Sequence, residues 1–172
     1  MTAKVAVAPI PTPPAAIARA ALARLTFADG YRAQVTHTQL PPPSAHSVAQ
    51  AMFGEPPKVV QWLMSLRNGI VGLFGLQAAA QRSTATQTHY AGSFPVVFET
   101  SEEILLGFND RHLDFRIWLS VSPKSDGFQV EISTLVQEHN AFGKVYLWVV
   151  MPVHRVLSRW MLARGLRHLT AI

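Results

Sequence analysis

The sequence predicts an α+β fold in which a curved antiparallel sheet wraps around a long C-terminal helix. The helix is predicted over Ala141–Leu169, where apolar side chains recur at three- and four-residue intervals around more than half of the helix. Two earlier segments, His112–Val121 and Phe128–Val136, alternate apolar and polar residues, as half-buried strands do. A helix with so wide an apolar arc is best covered by a concave sheet, and the three segments together therefore indicate this fold class.

The apolar arc of the C-terminal helix contains two stripes. We expect the first to face the sheet, and its members are Val145, Trp148, Val149, Pro152, Val156 and Trp160. The second lies beside it and consists of Tyr146, Val150, Val153, Leu157 and Met161. The longest charge-free run in this region is Val145–Val153, far shorter than the roughly 20 residues that cross a bilayer. We therefore expect a core helix and no transmembrane segment.

Composition predicts one globular domain. The chain has 172 residues, of which 49% are hydrophobic and only 15% are charged, so it can bury a substantial core. It has no cysteine, which excludes disulfides, thiolate metal sites and a cysteine nucleophile. The absence of cysteine is compatible with a reducing compartment, and we expect a cytoplasmic protein.

The net charge of +5 is concentrated at the C-terminal end. From Ala141 onward there are no acidic residues, and the basic ones are Lys144, Arg155, Arg159, Arg164 and Arg167. The simplest interpretation is a solvated helix face that complements the helix dipole, and the alternative is contact with an anionic membrane surface. We expect no nucleic-acid partner, because aromatic residues do not alternate with the basic ones.

The N-terminal half is organised around one strand. Residues 1–24, rich in proline and alanine, are expected to form a flexible arm with a possible short helix, and residues 25–172 a single domain. The first strand of that domain is predicted over Tyr31–His37, and two shorter helices follow it. They are predicted from the N-cap Ser44 to about Phe53 and over Lys58–Leu66.

The C-terminal half is predicted to contain an antiparallel sheet. Two shorter strands, Phe94–Phe98 and Glu103–Phe108, precede the two alternating segments. Pairing Val121 with Phe128 places every inward residue of one alternating segment opposite an inward residue of the other. The inward residues are Leu113, Phe115, Ile117, Leu119 and Val121 on the first strand, and Phe128, Val130, Ile132, Thr134 and Val136 on the second.

A polar cluster is expected where these two strands meet the long helix. The proposed register brings Asp110 opposite His139 and Arg111 opposite Glu138, with His112 beside them. An Asp–His pair could orient a general base, which makes Asp110, Arg111, His112 and His139 weak catalytic candidates. The alternative interpretation is a structural charge cluster at the entry to the helix.

Other catalytic and metal motifs are missing from the sequence. There is no His-Glu-x-x-His or His-x-His pattern, and His139 and His154 are too far apart to share one helical face. There is also no Gly-x-Ser-x-Gly nucleophile motif. We therefore expect no metal site and no cofactor.

The inward faces of sheet and helix are the candidate ligand-binding surface. Ordinary core packing is the default interpretation of so many aromatic and aliphatic side chains, and an apolar cavity is the alternative. The candidate ligand-binding residues are Phe115, Ile117, Leu119, Val130, Ile132 and Thr134 on the sheet, and Trp148, Val149, Pro152, Val156 and Trp160 on the helix.

Several stretches of the sequence resemble a known bacterial family. The runs GFNDRHLDFRIWLSV and TLVQEHNAFGKVYLWVVMPVHRVLSRWMLARGL are similar to the domain of unknown function 2867, and the resemblance extends over Tyr31–Leu166. That family is grouped with the START-like, polyketide-cyclase-like (SRPBCC) proteins. The resemblance therefore implies a helix-grip fold, and it implies no catalytic residues.

Three functional hypotheses follow from these observations. The first is a module that binds a hydrophobic or amphipathic small molecule between the sheet and the last helix. The second is a cyclase- or dehydratase-type enzyme that uses acid–base residues at the mouth of the cavity. The third is an interaction or membrane-surface protein that uses the basic end of the helix. A homodimer is compatible with each of them.

Overall fold

The computed structural model describes residues 3–36, 40–55 and 89–170. The helix expected over Lys58–Leu66 lies outside these residues. Within the described residues, the strands are β1 (Lys4–Ile10), β2 (Phe27–Thr36), β3 (Tyr90–Ala91), β4 (Phe94–Glu99), β5 (Glu103–Asn109), β6 (Leu113–Lys124) and β7 (Gly127–Glu138). The helices are α1 (Pro14–Ala20), α2 (Ala45–Phe53) and α3 (Ala141–Thr170).

The strands form one curved sheet in which every neighbouring pair is antiparallel. Their order across the sheet is β1-β2-β7-β6-β5-β4-β3, so β1 and β3 are the edge strands. The C-terminal helix α3 lies across one face of this sheet. The predicted α+β class, the antiparallel sheet and the helix-grip arrangement are therefore confirmed.

The N-terminal segment is part of the sheet. Residues 4–10, which we expected to belong to a flexible arm, pair along their whole length with β2, from Lys4–Thr36 to Ile10–Gly30. Pro9 lacks an N–H donor, and an edge strand tolerates it because one side of the strand makes no ladder hydrogen bonds. The short helix expected in this region is present as α1.

The hairpin of β6 and β7 has a register two residues away from the predicted one. Val121 pairs with Val130, where the alternation had suggested Phe128. A shift of two residues keeps every side chain on the same face, so the apolar pattern cannot distinguish the two registers. A two-residue turn between the paired Lys124 and Gly127 determines the observed one.

Both faces of the sheet are covered. Helices α2 and α3 pack on the concave face, against a core that includes Ile117, Leu119 and Ile132. The opposite face packs against α1, where Trp118 is only 3% exposed. The sequence pattern had placed Trp118 correctly on the outward face, and α1 is the element that buries it.

Helix α3 has the predicted boundaries, but it presents the other stripe to the sheet. The stripe we expected to be buried is exposed to solvent, with 80% of Trp148 and 70% of Val156 accessible. The stripe containing Tyr146, Leu157 and Met161 lies toward the sheet instead. Spacing alone could not choose between two adjacent apolar stripes, because both have the helical period.

Two glycines determine which side of α3 faces inward. Gly143 lies so close to the carbonyl oxygen of His112 that a Cβ atom would collide with it. At the other end, a Cβ atom on Gly165 would lie 2.9 Å from Cγ of Met52 in α2. The approach of Gly143 to a backbone oxygen is possible only for glycine, whereas a side chain at position 165 would require Met52 to move.

Replacement of the first of these glycines tests the packing directly. Judged by helix propensity alone, Gly143→Ala should stabilise α3 by about 1 kcal/mol. We nevertheless expect it to lower the free energy of unfolding by about 1–3 kcal/mol, because the new methyl group forces the helix away from the His112 carbonyl. Urea denaturation measures the change, and Val145→Ala on the exposed side of α3 is the control. An equal or higher stability of Gly143→Ala would contradict the packing.

Candidate functional site

A cavity separates the middle of α3 from the concave face of the sheet. It consists of two adjoining compartments of about 80 and 130 Å³. Five residues line both compartments: Phe115, Thr134, Tyr146, Val150 and His154. The first compartment extends toward the start of α3, and the second extends toward α2 and Met161.

Aromatic rings form much of the cavity wall. Phe115 is central, with ring centroids 5.5 Å from Phe108 and 5.9 Å from Phe94. Phe94 in turn packs edge-on against Phe53 of α2 at 5.2 Å. A wall of this kind favours a flat apolar ligand, because aromatic faces and edges contact each other favourably in offset and T-shaped geometries.

His112 is the first polar group in the cavity lining, and its tautomer follows from its neighbour Asn140. Asn140 Oδ1 accepts a hydrogen bond from the backbone N–H of Gly143 at 3.0 Å, which makes the other amide atom a donor. That atom, Nδ2, is 3.0 Å from Nδ1 of His112, so Nδ1 is the acceptor. The proton of a neutral His112 therefore lies on Nε2, which is buried and has no hydrogen-bond partner among the described residues.

His154 is the second polar group, and Asp29 of β2 orients it. Nε2 of His154 is 3.3 Å from Oδ2 of Asp29, and both side chains are mostly buried. Ser158 Oγ is 3.3 Å from one ring nitrogen of His154 and 3.5 Å from the other. Nearly equal distances to both nitrogens are incompatible with a linear bond to either, so these residues do not form a Ser-His-Asp triad. An imidazole held by a carboxylate can still act as a base.

Arg116 holds the two strands that supply the aromatic wall. Its guanidinium donates to the carbonyl oxygens of Phe108 and Phe115 at 3.0 and 2.9 Å, and to Oδ1 of Asn109 at 2.6 Å. Burial lowers the pKa of Arg116, and the nearby Asp114 carboxylate opposes this shift. The alternation pattern gave no signal for this role, because the residue lies on the outward face of β6.

Comparison with known families places the chain in one of them. The family model described as "Protein of unknown function (DUF2867)" matches residues 21–161. The chain belongs to the DUF2867 family. All residues that line the cavity lie within the matched region. Neither the comparison with curated proteins nor that with solved structures finds a match.

Among the helices described for this DUF2867 chain, none is long and apolar enough to cross a membrane. The charged residues that interrupt α3 after Val153 account for this result.

The sheet residues predicted to bind a ligand lie on the correct face. Phe115 and Thr134 line both compartments, and Ile117 and Ile132 line the second. Leu119 and Val130 are fully buried in the adjoining core. Whether these residues bind a ligand stays a prediction.

The helix residues predicted to bind a ligand lie outside the cavity. This set comprises Trp148, Val149, Pro152, Val156 and Trp160, all of which are exposed. The cavity is lined instead by the neighbouring stripe, including Tyr146, Val150 and Leu157. This prediction was wrong because two adjacent apolar stripes share the helical period, and the spacing could not show which of them faces the sheet.

The predicted acid–base cluster is only partly assembled. Asp110 and His112 both line the first compartment. Arg111 is exposed, and its backbone N–H donates to the Asp110 carboxylate. His139 does not pair with Asp110, because the register shift brings it to Asp114, with Nε2 of His139 3.2 Å from Oδ2.

A different group of histidines comes together at the sheet edge. His46 of α2, His89 and Glu99 of β4 offer three ligand atoms within 4.8 Å of one another. Nδ1 of His46 is 3.1 Å, and Nδ1 of His89 is 3.5 Å, from the Glu99 carboxylate. Two imidazoles and a carboxylate are a chemically suitable donor set for a divalent transition metal. Sequence spacing gave no signal, since the residues are far apart in the chain, and the expectation of no metal site stays a prediction.

Proposed function

We propose that this DUF2867 chain binds a small, largely aromatic molecule that carries one hydrogen-bond acceptor, in the cavity between the sheet and α3. The observation that carries the proposal is an apolar, aromatic cavity whose lining includes His112, and the buried Nε2 of this histidine has no hydrogen-bond partner in the described part of the chain. Ligand sites commonly combine apolar walls with a few such polar groups. The resemblance to START-like helix-grip proteins supports the same proposal at the level of the fold.

The cavity volume defines the size of the ligand. A cavity of roughly 150 Å³ accommodates one benzene molecule. The two compartments, of about 80 and 130 Å³, adjoin and share five lining residues, so that together they exceed this size. We therefore favour a ligand of one or two rings over a long-chain lipid. The N–H of His112, for which residues 3–36, 40–55 and 89–170 supply no acceptor, favours a ligand with a carbonyl, ether or ring nitrogen, because a buried donor without a partner is costly.

A matched pair of probes tests both features. Acetophenone and ethylbenzene have similar shapes, but only acetophenone has an acceptor. We expect acetophenone to bind about three- to tenfold more tightly, as one added hydrogen bond allows. Isothermal titration measures both affinities. His112→Phe should preserve the edge-on contact with Phe142 and remove the preference for acetophenone.

The same substitution on two sides of α3 provides the control for location. Val150→Phe fills the cavity and should abolish binding of both probes, whereas Val145→Phe on the exposed side should leave it unchanged. Equal binding by both variants would place the ligand outside the cavity and overturn the proposal.

A second candidate function is proton abstraction next to a carbonyl, the step that cyclases and dehydratases of this kind require. The observation that favours it is the presence of His154, oriented by Asp29, in the same cavity as the His112 donor. In this reaction the C–H bond α to the carbonyl breaks, the proton moves to a ring nitrogen of His154, and the developing enolate oxygen accepts the N–H of His112. The two histidines thus have opposite roles, base and oxyanion donor.

Hydrogen exchange of acetophenone in D₂O tests this second candidate. We expect the methyl signal in the ¹H NMR spectrum to decay faster with the protein than with an equal concentration of imidazole. Asp29→Asn should slow the decay about 10²-fold or more, because Asp29 orients His154, the proposed base, and stabilises its protonated form. Decay no faster than with imidazole, or an unchanged rate in Asp29→Asn, would exclude the proposed proton abstraction and would not affect the proposed binding function.

A further inference from the structure

A second, larger recess lies outside the core. It is a groove of about 490 Å³ between the edge strand β1 and the outer side of α3. Its lining includes apolar residues of β1, Tyr31 of β2, and Arg155, Arg159, Trp160 and Arg167 of α3. None of the lining residues contributed by α3 takes part in the interior cavity.

The two walls of the groove have different chemistry. The β1 wall presents Val5, Val7 and Pro9, which offer no side-chain charge. The α3 wall presents three arginines, spaced four and eight residues apart so that they follow one side of the helix. Trp160 lies between them and is about half exposed. The groove therefore combines an apolar strip with a row of cations.

The three arginines, Arg155, Arg159 and Arg167, have no acidic partner among the residues that the structure describes. In the described part of the chain, no carboxylate forms an ion pair with Arg155, Arg159 or Arg167, and none of their guanidiniums has a hydrogen-bond partner. Helix α3 has no acidic residue at all. Adjacent unpaired guanidiniums repel one another, so an anion in the groove would remove an unfavourable interaction and also form charge-assisted hydrogen bonds.

Tyr31 adds a hydroxyl near this row of cations. Burial raises its pKa, and the Asp29 carboxylate, which accepts a hydrogen bond from the hydroxyl at 3.4 Å, raises it further. Arg155 and Arg159 act in the opposite direction on the pKa of Tyr31, which places both guanidiniums within electrostatic reach of the hydroxyl. The Asp29 carboxylate also contacts His154, with Oδ2 3.3 Å from Nε2.

We propose that this groove is a binding site for an amphipathic organic anion, with its phosphate or carboxylate on Arg155 and Arg159 and its apolar part against β1 and Trp160. Arginine suits this role because its planar guanidinium binds both oxyanions in a bidentate manner. The apolar part of the ligand would contact an apolar surface, since Val156 and Trp160 belong to the exposed apolar side of α3. The arginine wall disfavours a second copy of the chain as occupant, because two such walls would bring like charges together.

Alkyl phosphate binding tests the site. Octyl phosphate, titrated below its micelle concentration, should bind more tightly than inorganic phosphate, which lacks the tail, and than octyl glucoside, which lacks the charge. Isothermal titration gives the affinities, and tryptophan fluorescence reports the environment of Trp160. Binding should weaken with added salt because the arginines are exposed. Equal affinity for octyl glucoside, or for inorganic phosphate, would overturn the proposal.

Charge-matched variants locate the binding site. The double variant Arg155→Gln/Arg159→Gln should bind octyl phosphate about tenfold or more weakly, as loss of charge-assisted bonds requires. The control Lys144→Gln/Arg24→Gln removes the same charge at exposed positions elsewhere and should bind like the original protein. Similar affinities of the two double variants for octyl phosphate would contradict the assignment of the anion to Arg155 and Arg159. Acetophenone binding should be unchanged in both double variants. A negative result with octyl phosphate would therefore contradict the groove proposal without affecting the proposal for the interior cavity.

Vesicles identify the source of the anion. Sedimentation with phosphatidylcholine vesicles that contain phosphatidylglycerol, and not with phosphatidylcholine alone, would identify a lipid surface if Arg155→Gln/Arg159→Gln abolishes it. Octyl phosphate binding without vesicle binding would identify a soluble amphiphile. Either result supports the groove, whereas vesicle binding that the double variant retains would contradict it.

Discussion

The close contacts of Gly143 and Gly165 attach α3 to its neighbours near its two ends. Gly143 lies against the His112 carbonyl, and Gly165 lies against Met52 of α2. Leu162 and Leu166 complete the second attachment and are fully buried. Between these points the inward side of the helix is only partly buried, and the space beneath it is the cavity. The helix backbone approaches its neighbours closely only at the two glycines. Between them, larger side chains hold the helix away from the sheet, and this separation forms the cavity.

The first attachment also prepares the chemistry of the cavity. Asn140 uses its side-chain oxygen to cap the N-terminus of α3 through the Gly143 N–H, and its amide nitrogen then fixes the tautomer of His112. One residue thereby couples the start of the helix to the direction of a buried donor. On its outer side, the same helix presents the arginines of the groove. The interior cavity and the outer groove therefore share one helix and differ in polarity, which allows each to be altered separately.

Much of the fold is readable from the sequence, because alternation and helical period report which residues share a face. They predicted the antiparallel sheet, the boundaries of α3 and the inward position of Phe115. They could not choose the inward side of α3, since the deciding signal is the absence of a side chain at Gly143 and Gly165. They also missed the pairing of His154 with Asp29, because contacts between distant elements depend on register and packing, which a periodic pattern does not encode.

The orientation of α3 can be measured directly, because the chain has no cysteine and single cysteines can be labelled without background. Val156→Cys replaces a side chain that is 70% exposed, and Met161→Cys replaces one that is 6% exposed. In the folded protein, the thiol at position 156 should react with a disulfide reagent as fast as a free thiol. The thiol at position 161 should react about a hundredfold or more slowly, because reaction requires local opening. Equal rates, or faster reaction at position 161, would contradict the packing of α3 on which both sites depend.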